Sequence, residues 1–184
     1  MTNDAIVTSN TGETPHRDVA RIATISAAAF LSLLGAIRYG VHAETLVVIF
    51  VICTLVVISR HDLERRIIPN RIVLPAWIAV LFAHLALHPH HWVEWLVGSF
   101  GAALFFLAFA LAYPAGLGMG DVKLALFIGA ALGYAVVSAL LLGTLAAGLI
   151  GAILLFKEGS SARKRAIPLG PFLAGGAIVV LLFL

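Results

Sequence analysis

Two aspartates are the residues best suited to do chemistry in this chain. Asp62 lies in Ser59-Arg60-His61-Asp62-Leu63-Glu64-Arg65-Arg66-Ile67-Ile68-Pro69-Asn70, and Asp121 lies in Gly118-Met119-Gly120-Asp121-Val122-Lys123-Leu124. Each abuts a long apolar segment, in a chain with only 9 acidic residues. An ionisable carboxyl at or inside a bilayer is costly, so its presence marks a function by default. Two of them suggest an aspartic dyad, which hydrolyses an amide by general acid/base catalysis at the membrane.

The surroundings of each aspartate are informative. The stretch from Tyr113 to Gly120 contains one Pro and three Gly, a poor helix former that ends one apolar segment and presents Asp121 at the start of the next. Gly118 and Gly120 allow another backbone to come close, as a peptide substrate requires. Taken alone, Asp121 reads first as an ordinary helix cap; its place at a membrane boundary and the second aspartate reverse that. Asp62 precedes Pro69 and Asn70, which stop regular helix and turn the chain into the next apolar segment. Taken alone, it reads equally well as a partner for Arg65 or Arg66 at helical spacing. Helix polarity makes Asp121 the ionised base and Asp62 the holder of a shared proton, the two titrating as one pair. Lys123, two residues from Asp121, is expected on another helix face in contact with lipid headgroups. The histidines show no metal pattern: His61 is alone, and His88, His90 and His91 cluster far along the chain in what reads as a solvated loop. No metal or cofactor is expected. The single cysteine, Cys53, excludes an intrachain disulfide.

The elements that must position these groups are transmembrane helices. The 184 residues are 61% hydrophobic and 11% charged, with a mean hydropathy of +1.06, far from the quarter charged that is typical of a soluble domain. The expected fold is an all-α polytopic bundle of about seven spans, with six possible: Ile22–Ile37, Thr45–Ser59, Ile72–Leu87, Trp92–Tyr113, Val122–Val137, Ala139–Phe156 and Ile167–Leu184. Several fall short of the ~20 residues a bilayer crossing needs. Residues 1–21 read as a polar cytoplasmic tail and 22–184 as the membrane domain. If all seven spans cross, eleven of the 12 Lys and Arg fall on the side of the N-terminus, with Arg38 alone opposite. The positive-inside rule then makes that side cytoplasmic. Asp62 and Asp121 both fall there. The basic pI near 9.4 therefore reflects short loops at a lipid surface and excludes nucleic acid as the expected partner. Small residues at Gly129/Gly133, Gly143/Ala147 and Ala147/Gly151 have helix-packing spacing.

The two aspartate segments, together with Ala166-Ile167-Pro168-Leu169-Gly170-Pro171-Phe172-Leu173-Ala174, resemble the prepilin (type IV leader) peptidase family of GxGD aspartic proteases. The resemblance covers about residues 46–184. It implies a multi-pass enzyme of the bacterial inner membrane that removes the short basic leader from pilin or pseudopilin precursors on the cytoplasmic side. Asp62 and Asp121 correspond to the catalytic pair. Gly118, Gly120, Lys123, Pro69, Asn70, Pro168, Gly170 and Pro171 correspond to motif positions that shape the site or bind substrate. Larger members carry a cytoplasmic loop with paired CxxC motifs associated with N-methylation. This chain has one cysteine and no such loop, so a short peptidase-only form is expected. The competing reading is a small membrane transporter or pilus-assembly subunit whose aspartates bind protons or cations. Glu64 and Glu158 are further candidates for contact with a basic leader. Oligomeric state is open.

Overall fold

The computed structural model describes residues 15–39, 42–113, 116–158 and 168–184. The polar tail expected over residues 1–21 and the basic segment around Arg163–Arg165 lie largely outside them. Seven α-helices follow in order: α1 Pro15–Tyr39, α2 Ala43–Arg65, α3 Asn70–Leu87, α4 Trp92–Ala112, α5 Met119–Leu132, α6 Val136–Glu158 and α7 Gly170–Phe183. Single 3₁₀ turns at Pro89–His91 and Gly133–Ala135 precede α4 and α6. Helices are the only spanning elements that satisfy their own backbone in lipid, apart from closed barrels.

The protein is a multi-pass helical membrane bundle. Among the described residues, four stretches are long and apolar enough to cross a bilayer: Ala43–Arg65, Asn70–Leu87, Pro89–Ala112 and Met119–Lys157, the last comprising α5 and α6 together. The apolar part of α1 (Ile22–Arg38) and α7 are shorter. The expected fifth span ended at Val137, but α5 stops at Leu132. Gly133 terminates it at φ 56°, a left-handed conformation that favours glycine. The second span, expected to end at Ser59, runs through Asp62 to Arg65. Asp62 is therefore in the last turn of a helix.

Packing is built on small residues at helix crossings. A Cβ on Gly129 of α5 would lie 2.2 Å from the Gly98 carbonyl oxygen of α4. A Cβ on Gly176 of α7 would lie 2.3 Å from the Ala139 carbonyl oxygen of α6. Backbones thus touch directly, where dispersion contacts in lipid are densest. The packing expectation for Gly129 and Gly143 agrees, since Gly143 meets Phe172 and Leu173. Apolar side chains of α2, α3, α5 and α7, including Ile52, Leu55, Val73, Phe127 and Leu173, form the buried centre.

One polar knot was not foreseen from sequence. Ser99, fully buried on α4, donates to the Leu126 carbonyl of α5 at 2.9 Å and accepts the Trp77 indole N–H of α3 at 2.8 Å. The Ser99 hydroxyl and the Trp77 indole are thereby both satisfied, as a low-dielectric interior demands. The knot ties together the helices that begin at Asn70 and just before Asp121.

Candidate active site

α2 and α5 present their aspartates from opposite helix ends. α2 closes at Arg66, whose backbone is left-handed at φ 54° and whose N–H donates to the Asp62 carbonyl at 2.8 Å. A side chain in that conformation costs on the order of 1–2 kcal/mol. The chain then passes through Ile67 and Ile68 to Pro69, which precedes α3 in an extended conformation. α5 starts after Gly118, and Asp121 occupies its first turn, accepting the Gly118 N–H at 3.2 Å through Oδ2. This return bond satisfies a donor that the helix leaves open at its N-terminus.

Asp62 has a different partner from the arginine neighbours that its spacing suggested. Its Oδ2 accepts the backbone N–H of Gly170, the first residue of α7, at 3.0 Å. Gly170 approaches so closely that a Cβ there would lie 2.7 Å from the same oxygen. Pro171 follows at the start of the helix, where its missing N–H costs nothing. The contrast in helix polarity expected between the aspartates is thus reduced, because each carboxylate receives an N–H at a helix start. Burial distinguishes them instead: Asp62 is 6% exposed, and Asp121 is half-buried.

Both carboxylates line one cleft of about 210 Å³, together with Arg66, Ile67, Ile68, Gly118, Gly120 and Lys123. Ile68 is the wall between the two motifs. A Cβ on Gly120 would meet the Ile68 Cβ at 3.1 Å, so the second glycine of the motif makes room for the α2–α3 connection. Lys123 corrects its expected headgroup position: it faces this cleft, and its Nζ donates to Asn70 Oδ1 at 2.7 Å. Of the other candidates, Pro69 and Asn70 begin α3, and Pro168 lies two residues before Gly170. Glu64 is exposed and paired with Arg60 at 2.7 Å. Ile68 was not singled out by sequence reading, and Arg66 was named only as a partner for Asp62. Their signal was their place between an aspartate and a helix-starting Pro-Asn.

The histidine loop lies at the far end of α3, away from the cleft. His88 approaches Glu44 of α2 at 3.2 Å, His84 stacks on Trp95 at 4.0 Å between ring centroids, and His91 approaches Glu94 at 3.5 Å. The expected solvated loop is therefore partly packed. No group of three or more metal-ligating side chains converges among the described residues.

Two carboxylates sharing one cleft at one end of a bundle of membrane helices define a class: polytopic membrane proteins with a paired-aspartate site. Residues 49–156 match the Type IV leader peptidase family, and the chain belongs to that family. It is 27% identical over 155 residues to a Prepilin leader peptidase/N-methyltransferase of Bacillus subtilis (strain 168), covering 84% of this chain and 62% of the relative. It is 30% identical over 163 residues to a protein of the same name in Pseudomonas putida, covering 83% of this chain and 55% of the relative. The chain thus spans less than two thirds of either. No solved structure matches it.

Proposed function

We propose that this protein is a membrane-embedded aspartic endopeptidase that removes the short basic leader from type IV pilin-like precursors at the cytoplasmic face of the bacterial inner membrane. The observation that carries the reading is the single cleft lined by Asp62 and Asp121, in a chain of the leader peptidase family. One carboxylate, ionised, takes a proton from water as its oxygen bonds to the scissile carbonyl carbon. The other, protonated, donates to the amide nitrogen as the C–N bond breaks. One water is consumed, and no covalent intermediate forms.

The two backbone bonds support that role. Gly170 N–H and Gly118 N–H hold the carboxylates in fixed orientations, and preorganisation of this kind lowers the cost of reaching the transition state. The basic flanks of the helices are consistent with a cytoplasmic, lipid-facing surface. The apolar stem of a precursor would lie in the bilayer, bringing the junction with its leader to the interface.

Co-expression with a pilin precursor tests the reading, with leader removal scored by mass for wild type, Asp62→Asn and Asp121→Asn. Cleavage by wild type and by neither variant is the expected result. Cleavage that survives either substitution removes the dyad mechanism.

A further inference from the structure

The charged groups of the cleft are matched to neutral partners. Asp62 accepts the Gly170 N–H at 3.0 Å, and Asp121 accepts the Gly118 N–H at 3.2 Å. Lys123 lines the same cleft, yet its ammonium donates to the Asn70 Oδ1 at 2.7 Å. Among the described residues, which include all three, no ion pair joins the lysine to either aspartate. Reach is not what separates them. The cleft of about 210 Å³ has room for about seven waters, and a lysine carries its charge on a flexible four-carbon stem. In so small a space an ammonium is drawn to a carboxylate, so a partner must hold it elsewhere. Asn70 is placed to do that. It is the first residue of α3, and that helix is fixed against α5 at two further points. Ile68, two residues before Asn70, packs on Gly120, and Trp77 bonds the Ser99 hydroxyl, which bonds the Leu126 carbonyl. An amide also accepts the ammonium without bringing a further negative charge to the site.

We infer that Asn70 is a positioning residue that keeps the Lys123 ammonium off the paired aspartates. The reason lies in the proton that the pair must share. An opposite charge beside a carboxyl lowers its pKa by about 1–3, and a lysine bridging both carboxylates leaves both ionised. Neither can then protonate the departing amide nitrogen. Held on Asn70, the positive charge stays at the wall of the cleft, and the aspartates keep only backbone donors that orient them. The inference rests on the peptidase reading above, and it deepens that reading by giving Asn70 control over the protonation of the pair.

The test is suppression, assayed in lipid nanodiscs on a precursor that wild type cleaves. Asn70→Ala frees the ammonium, and cleavage is expected to fall about 10-fold, as for a carboxyl pKa lowered by one. Adding Lys123→Met removes the freed charge and is expected to raise cleavage about fivefold or more over Asn70→Ala alone. Asn70→Asp, which still accepts the ammonium, should lose less than Asn70→Ala. Deleting the lysine repairs neither a folding defect nor a lost clasp between α3 and α5. A double variant no better than Asn70→Ala therefore overturns the inference, as does Asn70→Ala at the wild-type rate. A second measurement needs no cleavage: magic-angle-spinning NMR of protein carrying 15N at lysine Nζ and 13C at aspartate Cγ. Asn70→Ala is expected to bring Lys123 within about 4 Å of an aspartate carboxyl, a contact that wild type lacks and that Lys123→Met removes. Asn70→Ala without that contact overturns the inference. Absence of any cleavage by wild type removes the peptidase reading, while the NMR contact still decides whether Asn70 holds the lysine away.

Discussion

The Asp62 carboxylate rests on the backbone N–H of Gly170 at 3.0 Å, across 108 residues of chain. The bond closes the bundle between α2 and α7 on the side where Asp121 enters from α5. The carboxylate and the helix start are fitted to each other, and no side chain fits between them.

Gly170→Ala tests that fit. Its Cβ would occupy space 2.7 Å from Oδ2, forcing the carboxylate off its donor. A hydrogen bond to a charged group contributes about 1.5–3 kcal/mol, so cleavage is expected to fall about 10- to 100-fold. Loss of the same bond should also lower the thermal unfolding midpoint by several degrees, while packing against α6 keeps α7 in place. Wild-type cleavage by this variant would separate the bond from catalysis.

The Ile68–Gly120 contact predicts coupling between the two motif segments. Gly120→Ala places a methyl at 3.1 Å from Ile68 Cβ and 3.3 Å from its Cδ1. Overpacking of this kind costs roughly 1–3 kcal/mol. Adding Ile68→Val, which deletes that Cδ1, should restore part of the loss in unfolding midpoint and in cleavage. The double variant is expected to be better than the sum of the singles by about 0.5–1 kcal/mol. Strict additivity would show that the contact carries no energy.

Arg66→Gly should dissociate stability from activity. A glycine at this left-handed position relieves conformational cost and suits a helix C-terminus, so stability is expected to hold or to rise by up to about 1 kcal/mol. The side chain of a cleft-lining residue is lost with it, and cleavage is expected to drop several-fold. The check is an unfolding curve in detergent beside initial rates on the same preparation.

Gly129→Ala tests the crossing of α4 and α5. The added methyl would overlap the Gly98 carbonyl at 2.2 Å, with backbone on both sides. Destabilisation at or above the roughly 3 kcal/mol upper end for overpacking is expected, seen as poor yield of folded protein. A folded variant with a shifted helix would also lose the Ser99–Leu126 bond, and with it alignment of Asp121.

Much of this was legible in the chain. Asp62 and Asp121 stood out because carboxylates are scarce and costly beside apolar runs, and the apolar runs themselves marked seven helices. The Pro and Gly punctuation placed the start of α3 within two residues and that of α5 within three. What sequence could not show was pairing between distant segments. Nothing local in Pro168-Leu169-Gly170 says that its amide meets Asp62, and nothing in Ile67-Ile68 says that it meets Gly120. Lys123 was misplaced because helical spacing gives a direction relative to Asp121 and no knowledge of where Asn70 stands. The end of α5 was missed because apolar composition continues through Gly133 while the backbone reverses its twist there. Ser99 and Trp77 read as ordinary span residues until three helices are seen to meet at one hydroxyl.

The short length of α7 sets a depth. Gly143 of α6 packs against Leu173, three residues into α7, and α6 then continues fifteen residues to Glu158, about 22 Å further. Asp62, fastened to the first residue of α7, therefore sits well below the tip of α6. On the peptidase reading, cleavage takes place below the described end of α6. Water and peptide must descend to the site, and the lipid beside it has an uneven wall to cover. On the same reading, acyl chain length becomes a variable of the reaction, acting through how far the bilayer rises around a recessed site.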